Sequence, residues 1–160
     1  IAKQLDLIFN AVPQNSLVCG VVVAFENNTR FNNYGVIIFE MERRCSNEIL
    51  LDYAIKINEV ISEKKDMALT SYVVRNIHDL DVKWGSIDIL FSGLPITNGE
   101  NKLAVNGTGV TSLESYLKST NMPIYCMYVG CSKFLHISYT IRSNDVDIKR
   151  LEEVTRHTLI

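Results

Sequence analysis

The residues of this chain whose types suit chemistry gather around one apolar stretch, Trp84-Gly-Ser-Ile-Asp-Ile-Leu-Phe-Ser-Gly-Leu-Pro95. Asp88 stands near its start and Ser92-Gly93 at its end, so polar groups flank an apolar run where a sheet commonly meets a ligand or a second domain. The plainer alternative is a solvent-facing aspartate followed by an ordinary turn. Upstream, His78-Asp79-Leu80-Asp81 sets an imidazole beside carboxylates, a pairing that raises a histidine's pKa and suits it to general-base work. No Ser or Cys in a nucleophile-elbow context lies near it, which favours a polar loop. Asn28-Thr29-Arg30-Phe31-Asn32-Asn33-Tyr34-Gly35 reads either as a binding loop whose Arg30 forks onto a partner or neighbouring domain, or as a surface connection with Asn and Gly for positive φ. Gly107-Thr108-Gly109 lacks the Gly-Lys-Ser/Thr of a phosphate loop. Cys19, Cys45, Cys126 and Cys131 have no Cys-x-x-Cys spacing and no histidine at ligand distance, so neither a metal site nor a redox dithiol is indicated. Reduced and mostly buried thiols suit a cytoplasmic protein, although the count also permits two disulfides.

The elements that position these residues follow from periodicity. At 160 residues the chain fits one domain with a substantial core. Its 16 basic and 18 acidic residues nearly balance and are scattered, which leaves no footprint for nucleic acid or an anionic membrane. No apolar run approaches the roughly 20 residues of a membrane helix. The sequence starts at Ile1 with no signal-peptide pattern, as a fragment of a longer protein would.

Leu5, Ile8, Phe9 and Val12 recur at helical spacing before Pro13, and Leu17 to Phe25 is a valine-rich run suited to a strand covered on both faces. A second strand spans Tyr34 to Met41. Ser46 is the expected N-cap of a long helix whose Leu50, Tyr53, Ala54, Ile57, Val60 and Ile61 share a face. In the Trp84 stretch Ile87, Ile89 and Phe91 alternate with Asp88, Leu90 and Ser92, a central strand stopped by Gly93 and Pro95. Leu103 to Val110 is a glycine-broken strand. Ile124 to Val129 and Phe134 to Ile141 form a hairpin, with Leu135, Ile137, Tyr139 and Ile141 on one face and His136, Ser138 and Thr140 on the other, a wet outer face in the favoured reading and the wall of a polar channel in the alternative. A closing helix capped by Asp145 or Asp147 turns Ile148, Leu151, Val154 and Leu159 inward. The resulting class is α+β: a two-layer sandwich, with a mixed, mostly antiparallel sheet covered by helices.

In this order the motifs resemble the C-terminal half of the chloramphenicol-acetyltransferase-like acyltransferases, the superfamily of condensation domains, wax-ester synthases and alcohol acyltransferases. Asn28-Thr29-Arg30 through Asn32-Asn33-Tyr34-Gly35 resembles the family's Arg then Asn-x-x-Gly passage. Trp84-Gly85 with Asp81 resembles its Asp-Phe-Gly-Trp-Gly element, and Asp88 to Pro95 its strand ending in Ser/Thr-Asn-x-Pro. Gly93 departs from the family's usual Asn.

The resemblance covers essentially the whole chain and implies one lobe, residues 1–160, of a two-lobe enzyme that moves an acyl group from a thioester to a hydroxyl or amine. No permanently bound cofactor is implied. The donor would be acyl-CoA or an acyl carrier protein thioester, and the partners an N-terminal lobe and an acyl carrier protein. Family members carry the general base in a His-His-x-x-x-Asp-Gly motif in that N-terminal lobe, and this chain has no adjacent histidines. By the same resemblance Ser92 and Gly93 would lie near the reacting carbonyl, where a hydroxyl or a backbone N–H stabilises an oxyanion. Arg30, Asn33, Asp81, Trp84 and Asp88 would be structural or interface residues. The reading of a different class is a non-catalytic α+β module that binds a protein through its sheet face or edge.

Overall fold

The computed structural model describes residues 1–24, 34–68, 87–95, 104–105, 108–109, 123–131, 134–142 and 146–158. In chain order these form α1 (Ala2–Phe9), β1 (Ser16–Ala24), β2 (Tyr34–Glu42), α2 (Leu50–Glu63), β3 (Ile89–Pro95), β4 (Ala104–Val105), β5 (Thr108–Gly109), β6 (Ile124–Cys131), β7 (Phe134–Ile141) and α3 (Ile148–Thr158). Five strands make one sheet in the order β2-β1-β3-β6-β7, and β4 and β5 pair separately. The sheet is mixed. Its outer pairs, β1 with β2 and β6 with β7, are antiparallel, whereas β3 runs parallel to both of its neighbours.

The amphipathic pattern of each helix decides which sheet face it covers. Leu5, Ile8 and Phe9 of α1, Tyr53 and Ile57 of α2 and Leu151 of α3 are buried against Cys19, Ile37, Phe39, Ile89, Phe91, Ile124 and Cys126 of the sheet. Burying each large side chain of this kind contributes about 1.5–3 kcal/mol. The opposite face holds a second cluster of Val36, Leu90, Tyr125, Met127 and Val129, so β3 is buried on both faces, as a parallel strand requires.

Asp88 fixes the register at the entry to β3. Its backbone N–H donates to the Val18 carbonyl at 2.9 Å, and its carboxylate Oδ2 accepts the Val18 N–H at 2.8 Å. Its own carbonyl accepts the Ile124 N–H at 3.0 Å. One residue therefore ties β3 to β1 and β6 together, and the aspartate is a ladder residue rather than a solvent-facing one.

Two arginines lock α1 to the sheet. Arg43 Nη2 donates to the carbonyls of Val12 and Gln14, both at 3.0 Å, with the guanidinium 5.5 Å from the centroid of the Phe9 ring. Arg44 Nε pairs with Asp6 Oδ1 at 2.9 Å. Both partners are partly exposed, so solvent screening keeps that pair's contribution small. The Tyr139 hydroxyl of β7 hydrogen-bonds Gln4 of α1, and the Asp147 N–H donates to the Ala11 carbonyl at 2.8 Å.

Several local expectations need correction. Ser46 does not cap α2, which begins at Leu50 with Ile49 in the cap position and no side-chain cap. A turn closed by the Glu48 N–H to the Cys45 carbonyl, and held by Arg44 on the Glu48 carbonyl, takes up the residues before it. Leu50 is consequently exposed at the first turn rather than in the core. Ile148, the first residue of α3, is also exposed, and Asp147 caps that helix with Oδ1 accepting the Arg150 N–H at 2.9 Å. Leu135 is exposed as well, and His136, Ser138 and Thr140 are half-buried rather than wet. The sheet presents no exposed apolar face among the described residues; the exposed large apolar side chains include Leu51 (66%) and Ile55 (49%) of α2. Leu159 lies outside the described residues.

Cys19 and Cys126 are buried free thiols on one face of the sheet, separated by the whole of β3, and Cys45 is free and exposed. Burial pushes both buried thiols up to about 12, with Asp88 adding to the effect on Cys19. Alkylation of the native protein near pH 8 should label Cys45 and spare these two, as peptide mass spectrometry would show. Unfolded thiols lose their protons near 9 while the native ones hold them to about 12. The unfolded state thus binds fewer protons in that window, and stability should fall as pH rises through it. A Cys126→Ala variant should show a shallower decline in urea titrations. Asp88→Ala removes the acceptor of a part-buried N–H and should cost about 1–3 kcal/mol in the same assay.

Candidate functional site

The carboxyl end of β3 is where the sheet opens. β3 pairs with β1 only from Ile89 to Phe91, opposite Cys19 to Val21, whereas it stays paired with β6 through Pro95. Among the described residues, β1 continues beyond Val21 in partnership with β2 alone, to Ala24 opposite Tyr34. The two parallel strands therefore part after Phe91, and the backbone of residues 92–95 on the β1 side is left without its ladder.

Peptide groups of an extended strand alternate in direction, which tells which groups face the gap. The Asp88 carbonyl points to β6, where it accepts the Ile124 N–H. Carried along β3 with period two, the N–H groups of Ile89, Phe91 and Gly93 point to β1. The first two meet it. Gly93 N–H points to the side on which pairing has ended. In a parallel sheet the carboxyl ends of the strands are the usual place for ligands, because unpaired backbone donors gather there.

Ser92 and Gly93 present opposite faces. Half-buried Ser92 shares its face with Leu90 and lies in register with Met127, which in turn faces Ser138 of β7. His136, opposite Val129, and Thr140, opposite Tyr125, continue a polar border on that face. Gly93 is in register with Tyr128 on the helix-covered side, and the ring of Tyr128 lies over it. A Cβ added at Gly93 would stand 2.0 Å from Tyr128 Cε2 and 2.7 Å from its hydroxyl oxygen. That close approach gives the physical reason for glycine at position 93.

Of the residues singled out in the sequence, Ser92 and Gly93 stand together at this opening. Asp88 lies at the other end of the same strand, about 13 Å away at the usual rise of an extended chain. Arg30, Asn33, Asp81, Trp84 and the His78-Asp79 pair lie outside the described residues. Tyr128 was not legible in the sequence, since only the β3–β6 register reveals that it faces a glycine. Among the described residues no group of His, Cys, Asp and Glu is placed to hold a metal ion.

Gly93→Ala forces the Tyr128 ring aside and should cost about 1–3 kcal/mol. Most of that cost should vanish when Tyr128→Ala is added, a coupling that a double-mutant cycle in urea would measure.

No protein-family model matches the sequence, and no curated protein matches it. Solved structures do match in fold. The starter condensation domain of rhizomide synthetase RzmA, in a mutant form, superposes with a TM-score of 0.62 at 11% identity, over 97% of this chain and 37% of that one. A nonribosomal peptide synthetase, FmoA3, gives 0.65 at 10% identity, over 99% of this chain and 18% of that one. A structure addressing condensation domain-mediated chain release from the enacyloxin polyketide synthase gives 0.61 at 9% identity, over 97% and 33%. This chain thus spans about a third or less of the length of those proteins, and its fold is that of a condensation-domain-like half-domain.

Proposed function

We propose that this chain is the C-terminal lobe of a two-lobe acyltransferase, and that the opening after Phe91 forms one wall of its substrate tunnel. The observation that carries the reading is the end of the β1–β3 ladder at Phe91, which leaves Gly93 N–H without a ladder partner among the described residues at the carboxyl end of a parallel strand, within a fold shared with condensation domains. The donor is a thioester, of CoA or of an acyl carrier protein. An acceptor hydroxyl or amine attacks the thioester carbonyl while a histidine of the other lobe takes the acceptor's proton. The carbonyl oxygen becomes an anion, and Gly93 N–H donates to it. Collapse of the adduct breaks the carbon–sulfur bond, and the leaving thiolate receives the proton from that histidine. Ser92 lines the same opening from the other face. Asp88 takes no part in the chemistry and acts by holding β3.

The alternative, a non-catalytic module that binds a protein, draws support from Leu51 and Ile55 on the outer face of α2.

The test begins with the intact mass of the natural gene product that contains these residues, followed by acyl-transfer assays on that product with acyl-CoA and carrier-protein thioesters. A product much larger than 18.1 kDa that transfers acyl groups is the expected result. Transfer should then fall by about 10²–10⁴-fold when the histidine of the other lobe is replaced. A product of this size alone, or a larger one without transfer, would overturn the acyltransferase reading and leave the binding module.

A further inference from the structure

The residue that shapes this opening most directly is Tyr128, which carries no mark in the sequence. It sits on β6 beside Gly93, and its side chain is longer than the spacing of about 4.8 Å between neighbouring strands. Its ring therefore crosses β3 at the one position without a Cβ, passing Cε2 first, then Cζ, then the hydroxyl over Gly93. No described residue hydrogen-bonds the Tyr128 hydroxyl. By contrast, the hydroxyls of Tyr53 and Tyr139, on the same side of the sheet, are committed to the Glu42 carbonyl and to Gln4. Among the described residues the Tyr128 hydroxyl is uncommitted, and it lies beside Gly93.

We propose that Tyr128 is a substrate-contacting residue whose hydroxyl donates, alongside Gly93 N–H, to the carbonyl oxygen of an acyl thioester. The inference rests on the acyltransferase reading and deepens it, because it replaces a single backbone donor with a pair. Two donors from adjacent strands fix the direction of the carbonyl as well as stabilising the charge that develops on it. Burial holds the phenol above the ordinary tyrosine value, with the Cys126 thiol adding to the effect, so the hydroxyl keeps its proton through the neutral range. The same geometry gives Gly93 a second reason to lack a side chain: any Cβ would push the hydroxyl off the donor position.

The test uses the complete two-lobe gene product and the variant Tyr128→Phe, which keeps the ring and removes only the oxygen. With acyl-CoA or carrier-protein thioester as substrate, kcat should fall by about ten- to a hundredfold while KM changes by less than about threefold. The unmodified and variant proteins should bind a thioether analogue of the donor, which has no carbonyl oxygen, equally well, and their melting temperatures should agree. A kcat within about twofold of the unmodified enzyme overturns the role of Tyr128 and leaves the acyltransferase reading standing. Equal losses in turnover and in thioether binding overturn it too, since they would mean that the residue only packs. An unmodified product that folds and transfers nothing overturns the acyltransferase reading itself, and this proposal with it.

Discussion

The entry of β3 between β1 and β6 is the constraint on which the rest of this structure depends. Parallel neighbours cannot be joined by a tight turn, so nothing local in the chain aligns β3 with either of them. Asp88 supplies the alignment with its backbone N–H and carboxylate on Val18 and its carbonyl on Ile124. Once that register is set, Ile89 and Phe91 fall on the helix-covered face and Leu90 on the other, and a slip of one residue would exchange the two clusters. The two antiparallel hairpin pairs then flank a centre already fixed.

The same strand that is pinned at its amino end is released from β1 at its carboxyl end. Pairing lost after Phe91 costs little if water or a ligand satisfies the freed groups, and a backbone donor so placed need not reorganise during a reaction. The contacts that set the register and the proposed donor therefore lie at opposite ends of one strand of seven residues, Ile89–Pro95. The helical layer reinforces the pinned end: Arg43 and Arg44 hold α1 and the chain leading into β1, while Tyr139 ties β7 to that helix and Asp147 ties α3 to the chain just after it. None of these contacts reaches residues 92–95, which leaves the open end to the register of β3 with β6 and to the ring of Tyr128.

Likeness to condensation domains at about a tenth of identical residues is a statement about packing, and packing tolerates many chemistries. What makes the acyl-transfer reading specific is the pairing of that fold with a directed donor at a strand end. Among the described residues the core formed by Phe9, Tyr53, Phe91 and their neighbours contains no histidine, so its packing does not depend on a paired-histidine motif.

Periodicity by itself determined the elements that bury a face: the Leu5-Ile8-Phe9 helix, the Tyr53-Ile57 helix, the alternation of β3 and the β6–β7 hairpin all stand where their apolar residues put them. It stopped β3 too early at Gly93, because the strand runs on through Gly93 and Leu94 to Pro95 in register with β6, and only its pairing with β1 ends at Phe91. It failed at α2's first turn, where the turn that Arg44 helps hold displaced the Ser46 cap, and at Ile148 and Leu135, whose exposure depends on what packs beside them. The direction of β3, its parting from β1 and the crossing of Tyr128 over Gly93 were decided only by the tertiary structure. Strand pairing joins residues far apart in the chain through backbone groups that every residue carries, so the sequence holds no local record of which strands meet or where they separate.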